Sequence, residues 1–444
     1  MSAVFQRNCN VTMPIAVKGE GVYIIDKQGR RYLDGSGGAA VSSLGHSHEK
    51  VIAAIKKQLD EIAFAHTGFF SSEPAEQLAQ FLVDAAPGDM AKVYFTSGGS
   101  EAVEAALKMA RQYYLERGEA QRTLFISREQ SYHGNTLGAL GVGGNVWRRE
   151  PFDPLMTGAN HISACYAYRG QQDGETEFDY GQRVAFELET KLIELGAENV
   201  IAFIAEPVVG ATLGAVPSVP GYFKKVREIC NQHNILLILD EVMCGMGRTG
   251  TLFAYEQEQI VPDMVVMAKG LGAGYQPIGA LLVSSEIHQA IADGSGFFQH
   301  GHTYIGHPTA CAAALAVQNV IVEDQLLDKV QRQGDYLHAQ LQARFGEHPV
   351  IGDIRGRGLF RGLELVKDKA QKSPLPLSSM LHLKIKAQMM ENGLLCYPGA
   401  GSVDGKQGHH ILIAPAFIIK SEDIDFLVDT LAMSIDQALL KINY

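Results

Sequence analysis

The chain has 444 residues, 46% of them apolar, and a formal charge of −11. That length supports one large domain with a sizeable core and a smaller one beside it. The acidic balance weighs against nucleic acid or an anionic membrane as a partner, and no apolar run is long enough to span a bilayer.

In chain order, residues 21–34 alternate apolar and polar side chains around Lys27-Gln28-Gly29-Arg30, as a β-hairpin does. A glycine-rich passage, 34–40, leads to Leu44-Gly45-His46, and helical periodicity follows at 49–63 and 74–86. From 92 to about 287, short apolar runs alternate with helical patterns, at 93–95, 123–126, 200–204, 235–239, 264–267 and 280–283. This repetition predicts βαβ units and a mainly parallel sheet. A helix at 310–322 joins the two domains, and 355–364 and 411–413 read as strands of a smaller α+β unit. Helices at 378–391 and 421–442 pack on that unit. The expected division is 1–50, feeding the small domain, then 51–310 as the large domain and 311–444 as the small one. Residues 1–7 lack the apolar core of a signal peptide, and the six cysteines include no CxxC pair. Reduced thiols in a cytoplasmic protein follow as the expectation.

Two apolar runs end in a charge. Residues 236–239 run into Asp240, and 264–268 run into Lys269-Gly270. A charge at the carboxyl end of a buried parallel strand lies where open α/β sheets place their active-site crevice. An Asp held against a ring nitrogen and a Lys able to form an imine are what pyridoxal phosphate chemistry requires. The bland alternative for Lys269 is a solvated lysine at a strand end, but 268–274 offers little bulk to cover it.

Other features take their meaning from that pair. Residues 94–104 pass from a strand through Ser97-Gly98-Gly99-Ser100 into a helix rich in small residues. Free N–H groups of Gly99 and the Ser100 hydroxyl suit a phosphate dianion; the alternative is a plain turn with Ser100 as N-cap. In Ser131-Tyr132-His133-Gly134, Tyr132 is either a ring that stacks on a flat cofactor or an aromatic packed on the core. Glu206 ends the run 200–205 and reads as a cofactor-side carboxylate, a partner for a mobile arginine, or a capping acid. His300, His302 and His307 match no metal-ligand spacing, so the segment reads as a loop presenting Thr303 and its backbone to a phosphate, and no metal is expected.

Taken in order, these pieces resemble a class III aminotransferase of the PLP-dependent fold type I superfamily. The resemblance rests on Tyr32-Leu33-Asp34, Leu44-Gly45-His46, Gly99-Ser100-Glu101-Ala102, Tyr132-His133-Gly134 and Glu206-Pro207. It continues through Asp240-Glu241-Val242, Gly247-Arg248-Thr249-Gly250, Ala268-Lys269-Gly270, Thr303-Tyr304, Gly306-His307-Pro308 and Arg357-Gly358-Leu359. It implies an α/β fold, with a mainly parallel seven-stranded sheet in the large domain and a smaller α+β domain. By the same resemblance Lys269 carries the cofactor, Asp240 pairs its ring nitrogen, and Val242 packs opposite Tyr132. His133 and Glu206 join the cofactor set, while Gly99 and Ser100 hold the phosphate. Thr303 is implied to reach a neighbouring subunit's phosphate, giving a homodimer with shared sites, or a tetramer built from it.

The implied activity is a ping-pong transamination through pyridoxamine phosphate, from an amine or ω-amino acid to pyruvate or 2-oxoglutarate. A decarboxylase, aminomutase or racemase of the same fold is the alternative. The sequence has departures from the family pattern, among them Ile305 before Gly306-His307-Pro308 and Met243 after Val242. No arginine follows Arg361, so the substrate carboxylate falls to Lys406, as a point charge, or to Arg31, Arg148, Arg149 or Arg169. Trp147-Arg148 is the preferred choice, beside an aromatic entrance drawn from Phe64, Phe69, Phe70, Tyr166 and Tyr168.

Overall fold

The computed structural model describes residues 3–441; Ile442, where the predicted last helix ends, lies outside them. Its centre is a seven-stranded sheet in the order Met90–Thr96, Gly279–Ser284, Met264–Met267, Leu236–Asp240, Val200–Ala205, Leu124–Arg128 and Asn160–Ile162. All neighbours pair in parallel except Gly279–Ser284, which runs antiparallel to both strands beside it. Every residue of Val200–Ala205 and Leu236–Asp240 is buried, because helices cover both faces.

Side chains alternate between those faces. Ala202, Ile204, Ile238, Met264 and Val266 pack with Ala102, Val103, Ala106 and Ala110 of helix Gly99–Glu116. Their neighbours Phe203, Leu237, Leu239 and Val265 pack with Val184 and Leu188 of Glu177–Leu195 and with Phe223 and Val226 of Tyr222–Gln232. The small alanines of the first helix let it sit close to the strands whose ends carry Asp240 and Lys269.

The hairpin predicted around 27–30 forms, with Tyr23–Asp26 antiparallel to Arg31–Asp34. Its second strand pairs in parallel with Leu394–Leu395, so the N-terminal sheet is completed by a strand from near the other end of the chain. The antiparallel pair Ile351–Arg357 and Phe360–Asp368 continues through His409–Ile413 to Tyr397–Ala400. The helix predicted at 378–391 begins only at Leu381, since Met380 takes a φ of 51° after a short turn at Leu377–Ser379. The long helix predicted at 310–322 spans Pro308–Glu323. Among the described residues no single helix is long and apolar enough to cross a membrane.

Candidate active site

The carboxyl ends of the central strands converge. Asp240 is the last residue of its strand, Glu206 follows Val200–Ala205 directly, and Lys269 comes two residues after Met264–Met267. Gly99, Ser100, Tyr132, His133, Glu206, Asp240, Val242 and Lys269 line one cavity of about 200 Å³, together with Gly134, Met243 and Ala268.

Asp240 is held from two sides. Its Oδ1 accepts the Val242 N–H at 3.0 Å, and its Oδ2 lies 2.8 Å from His133 Nδ1. Both side chains are buried, and among the described residues His133 Nε2 has no partner. The adjacent Glu241 points away, accepting the N–H groups of Ala254 and Tyr255 at 2.7 Å each. Burial raises its carboxyl to about 8 despite those two bonds.

Lys269 adopts a φ of 44°, left-handed backbone that a lysine rarely takes. Burial pulls its ammonium below the ordinary lysine range; Asp240 and Glu206 oppose that pull, and the Arg148 charge adds to it. A lowered value puts more of the amine in its neutral, nucleophilic form. Both oxygens of Glu206 accept backbone N–H groups, from Tyr132 and Gly210 at 3.0 Å each. Glu206 therefore anchors the Tyr132 loop, and among the described residues no arginine pairs with its carboxylate. Its carboxyl is raised, by burial first and by the neighbouring Asp240 charge as well.

The helix Gly99–Glu116 starts from an extended Gly98, so Ser100 sits in the first turn and not at the cap. Its hydroxyl instead accepts the Asn135 N–H at 3.0 Å, which ties this turn to the Tyr132-His133-Gly134 loop. A Cβ on Gly99 would lie 2.9 Å from both γ-carbons of Val242, so glycine is what lets the turn approach that residue. Gly134, at φ 146°, would place a Cβ 2.7 Å from Ser100 Oγ. Among the described residues the Gly99 and Ser100 N–H groups donate to no protein acceptor, leaving them free for an anion at a helix start. These residues fit pyridoxal phosphate: an anion cradle, a buried acid, an amine, and Tyr132 and Val242 on the cavity walls.

Several expected residues lie elsewhere. Thr303 is exposed and off the cavity wall, and Lys406 is exposed on a loop. Phe64 packs edge-on against Tyr304 at 5.6 Å, and Trp147 is 59% exposed. Arg169 is committed to Glu364 at 2.7 Å, Arg149 donates to the Gly143 carbonyl at 3.0 Å, and Arg31 lies over Tyr23. Tyr166 donates to Glu364, so it belongs to that buried network and not to an entrance. Arg148 alone of the candidate arginines reaches the site, with Cζ 4.6 Å from the Tyr132 ring centre. Arg7 and Tyr397 also act electrostatically on Tyr132; neither gave a signal in the sequence, since Arg7 sits in a stretch with no periodicity.

A mostly parallel sheet whose strand ends present a buried acid and an amine, beside a helix start open to an anion, defines a pyridoxal-phosphate enzyme of fold type I. The profile of the aminotransferase class-III family matches residues 4–435, and the chain belongs to that family, whose members use pyridoxal phosphate. An uncharacterized aminotransferase of Schizosaccharomyces pombe is 45% identical over 437 residues, covering 97% of this chain and 94% of the relative. A chloroplastic gamma aminobutyrate transaminase 3 of Solanum lycopersicum is 38% identical over 416 residues, 93% of this chain and 78% of that protein. Among solved structures, the omega transaminase of Pseudomonas jessenii in complex with PMP superposes with a TM-score of 0.92 at 32% identity, covering 99% and 97% of the two chains. An (S)-enantioselective omega-transaminase of Thermomicrobium roseum gives 0.90 at 36% identity, over 96% and 93%.

Proposed function

We propose that this aminotransferase moves an amino group from an amine or ω-amino acid to a keto acid, pyruvate or 2-oxoglutarate, with pyridoxal phosphate held in the cavity between Gly99, Asp240 and Lys269. The observation that carries the reading is the placing of the Lys269 amine and the Asp240 carboxylate on one cavity wall. The omega-transaminase relatives support the donor class.

Bound there, pyridoxal phosphate supplies an aldehyde for amines to condense with and a ring that withdraws electrons from the substrate carbon. The free N–H groups of Gly99 and Ser100 bind its phosphate. Asp240 keeps a proton on the pyridine nitrogen, and His133 fixes the orientation of that carboxylate. Tyr132 and Val242 bracket the ring, the former positioned through its main chain by Glu206. Lys269 would take the proton from the substrate carbon and deliver it two atoms further along, across the nitrogen, and its lowered ammonium range suits the amine to act as that base. The same lysine serves both halves of a ping-pong cycle, in which the deaminated donor leaves before the keto acid binds.

A homodimer is part of this reading. Phe69, Phe70 and Tyr304 are 81%, 69% and 59% exposed on a single chain, and the exposed Thr303 adjoins Tyr304. Apolar exposure of that kind suits burial by a second copy, with Thr303 delivered to the partner's phosphate. The six unpaired thiols suit a reducing, cytoplasmic setting, and the division into 1–50, 51–310 and 311–444 stands as the domain reading.

The test is the visible spectrum of the holoenzyme with single donors and no acceptor. One donor class is expected to bleach the cofactor band, and pyruvate or 2-oxoglutarate to restore it. Release of carbon dioxide or loss of donor chirality without bleaching would instead mark a decarboxylase or racemase.

A further inference from the structure

The arginines of this chain are mostly occupied. Arg122, Arg128, Arg149, Arg169, Arg183, Arg227, Arg248, Arg355, Arg357 and Arg361 each donate to carbonyl or carboxylate oxygens. Arg148 is different. It is half-buried, its backbone is fixed by the Asn145 cap at 3.2 Å, and its guanidinium lies over the Tyr132 ring at 4.6 Å. Among the described residues no oxygen accepts from that guanidinium and no carboxylate pairs with it. A guanidinium that rests on an aromatic face keeps its in-plane N–H groups available for bidentate contact with a carboxylate. Its charge is felt at Lys269 as well as at Tyr132, so it stands near the amine without lining the cavity.

Resting on the transaminase reading, we propose that Arg148 is the carboxylate-binding residue of this site and selects donors whose carboxylate is remote from the reacting amine. Tyr132 supplies the distance argument. It forms cavity wall, and the Arg148 guanidinium, which is not among the lining residues, lies 4.6 Å from its ring centre, so a carboxylate on Arg148 is held away from the cavity where Lys269 stands. An α-amino acid, with both groups on one carbon, cannot span that separation; an ω-amino acid can. Arg7, whose charge also favours the ionised form of the Tyr132 phenol, is a second cation acting on that ring.

The test uses holoenzyme and a matched donor pair, 4-aminobutanoate against butylamine, with butanoate as an unreactive probe of the subsite. In Arg148→Met the ratio of kcat/KM for 4-aminobutanoate over butylamine is expected to fall roughly 10- to 100-fold, through KM, as loss of a charge-assisted hydrogen bond implies. Butanoate affinity, measured by calorimetry, should fall by a similar factor. Arg148→Lys, which keeps the charge and guards against a folding artefact, should recover part of both, and Arg7→Gln should show a smaller loss. An unchanged ratio and unchanged butanoate affinity would overturn the assignment while leaving transamination intact. If neither donor is turned over, the transaminase reading fails, and butanoate binding alone decides the subsite.

Discussion

Asp240→Asn separates the chemistry assigned to this site from its architecture. The carboxylate accepts from Val242 N–H at 3.0 Å and meets His133 Nδ1 at 2.8 Å, both in buried surroundings. Asparagine keeps one acceptor for Val242 and turns an NH₂ toward His133. The imidazole can answer by moving its proton to Nε2, which has no partner among the described residues, so the bond survives in neutral form and the fold loses about 1 kcal/mol, the difference between a charged and a neutral hydrogen bond. What disappears is the negative charge to which the proposal gives the task of keeping a proton on the cofactor ring. A charge-assisted bond contributes about 1.5–3 kcal/mol, or roughly 10- to 150-fold in a rate that depends on it. Rapid mixing of holoenzyme with a donor, without acceptor, reads the limiting rate and the half-saturating concentration separately. The limiting rate should fall by at least about 10-fold, with half-saturation kept within about 3-fold. A retained limiting rate with only weakened half-saturation would refute the role given to Asp240.

Three further outcomes follow from local geometry. At φ 44° a non-glycine residue loses roughly 1–2 kcal/mol, more than the ~0.5–1 kcal/mol entropic handicap of glycine, so cofactor-free Lys269→Gly should resist urea better than Lys269→Ala. The reverse order would show that the backbone there is unstrained. Glu241 titrates near 8 when folded and at 4.5 when free, so the folded state binds the extra proton and this contribution to stability is lost as pH rises from 4.5 through 8. Glu241→Gln should therefore gain on the wild type across that window in denaturant titrations; a constant difference at every pH would mean an already ionised carboxylate. Gly99→Ala drives a methyl to within 2.9 Å of both Val242 γ-carbons, an overlap that typically costs about 1–3 kcal/mol. Cofactor titration should show weakened binding that Val242→Ala partly restores, and no restoration would place the damage elsewhere.

How far the sequence carried the fold and the site depended on signal length. The runs ending in Asp240 and at Lys269 are fully buried strands closed by a charge, a contrast that survives any tertiary context. Asn160–Ile162 escaped notice because three residues at a sheet edge carry no periodicity, and the reversed direction of Gly279–Ser284 leaves no mark in an apolar run. Composition also misleads about arginine. In sequence Arg248 shows only as a member of Gly247-Arg248-Thr249-Gly250, yet it is buried, donating to the Leu359 and Pro415 carbonyls, and burial lowers it to about 9. Tyr132 and Arg148 were each visible as residues. Their stacking was not, because 15 residues of loop and short helix lie between them and only the folded chain sets that contact. The same holds for the Glu206 carboxylate, whose backbone partners belong to two different loops.

The central claim is that Lys269 holds the cofactor. Reductive trapping of the holoenzyme with borohydride, followed by peptide mass mapping, addresses it without any assumption about substrate. The phosphopyridoxyl mass is expected on the peptide containing Lys269, and none on that peptide in Lys269→Ala. Label on another lysine, or a holoenzyme that traps no cofactor, would contradict it.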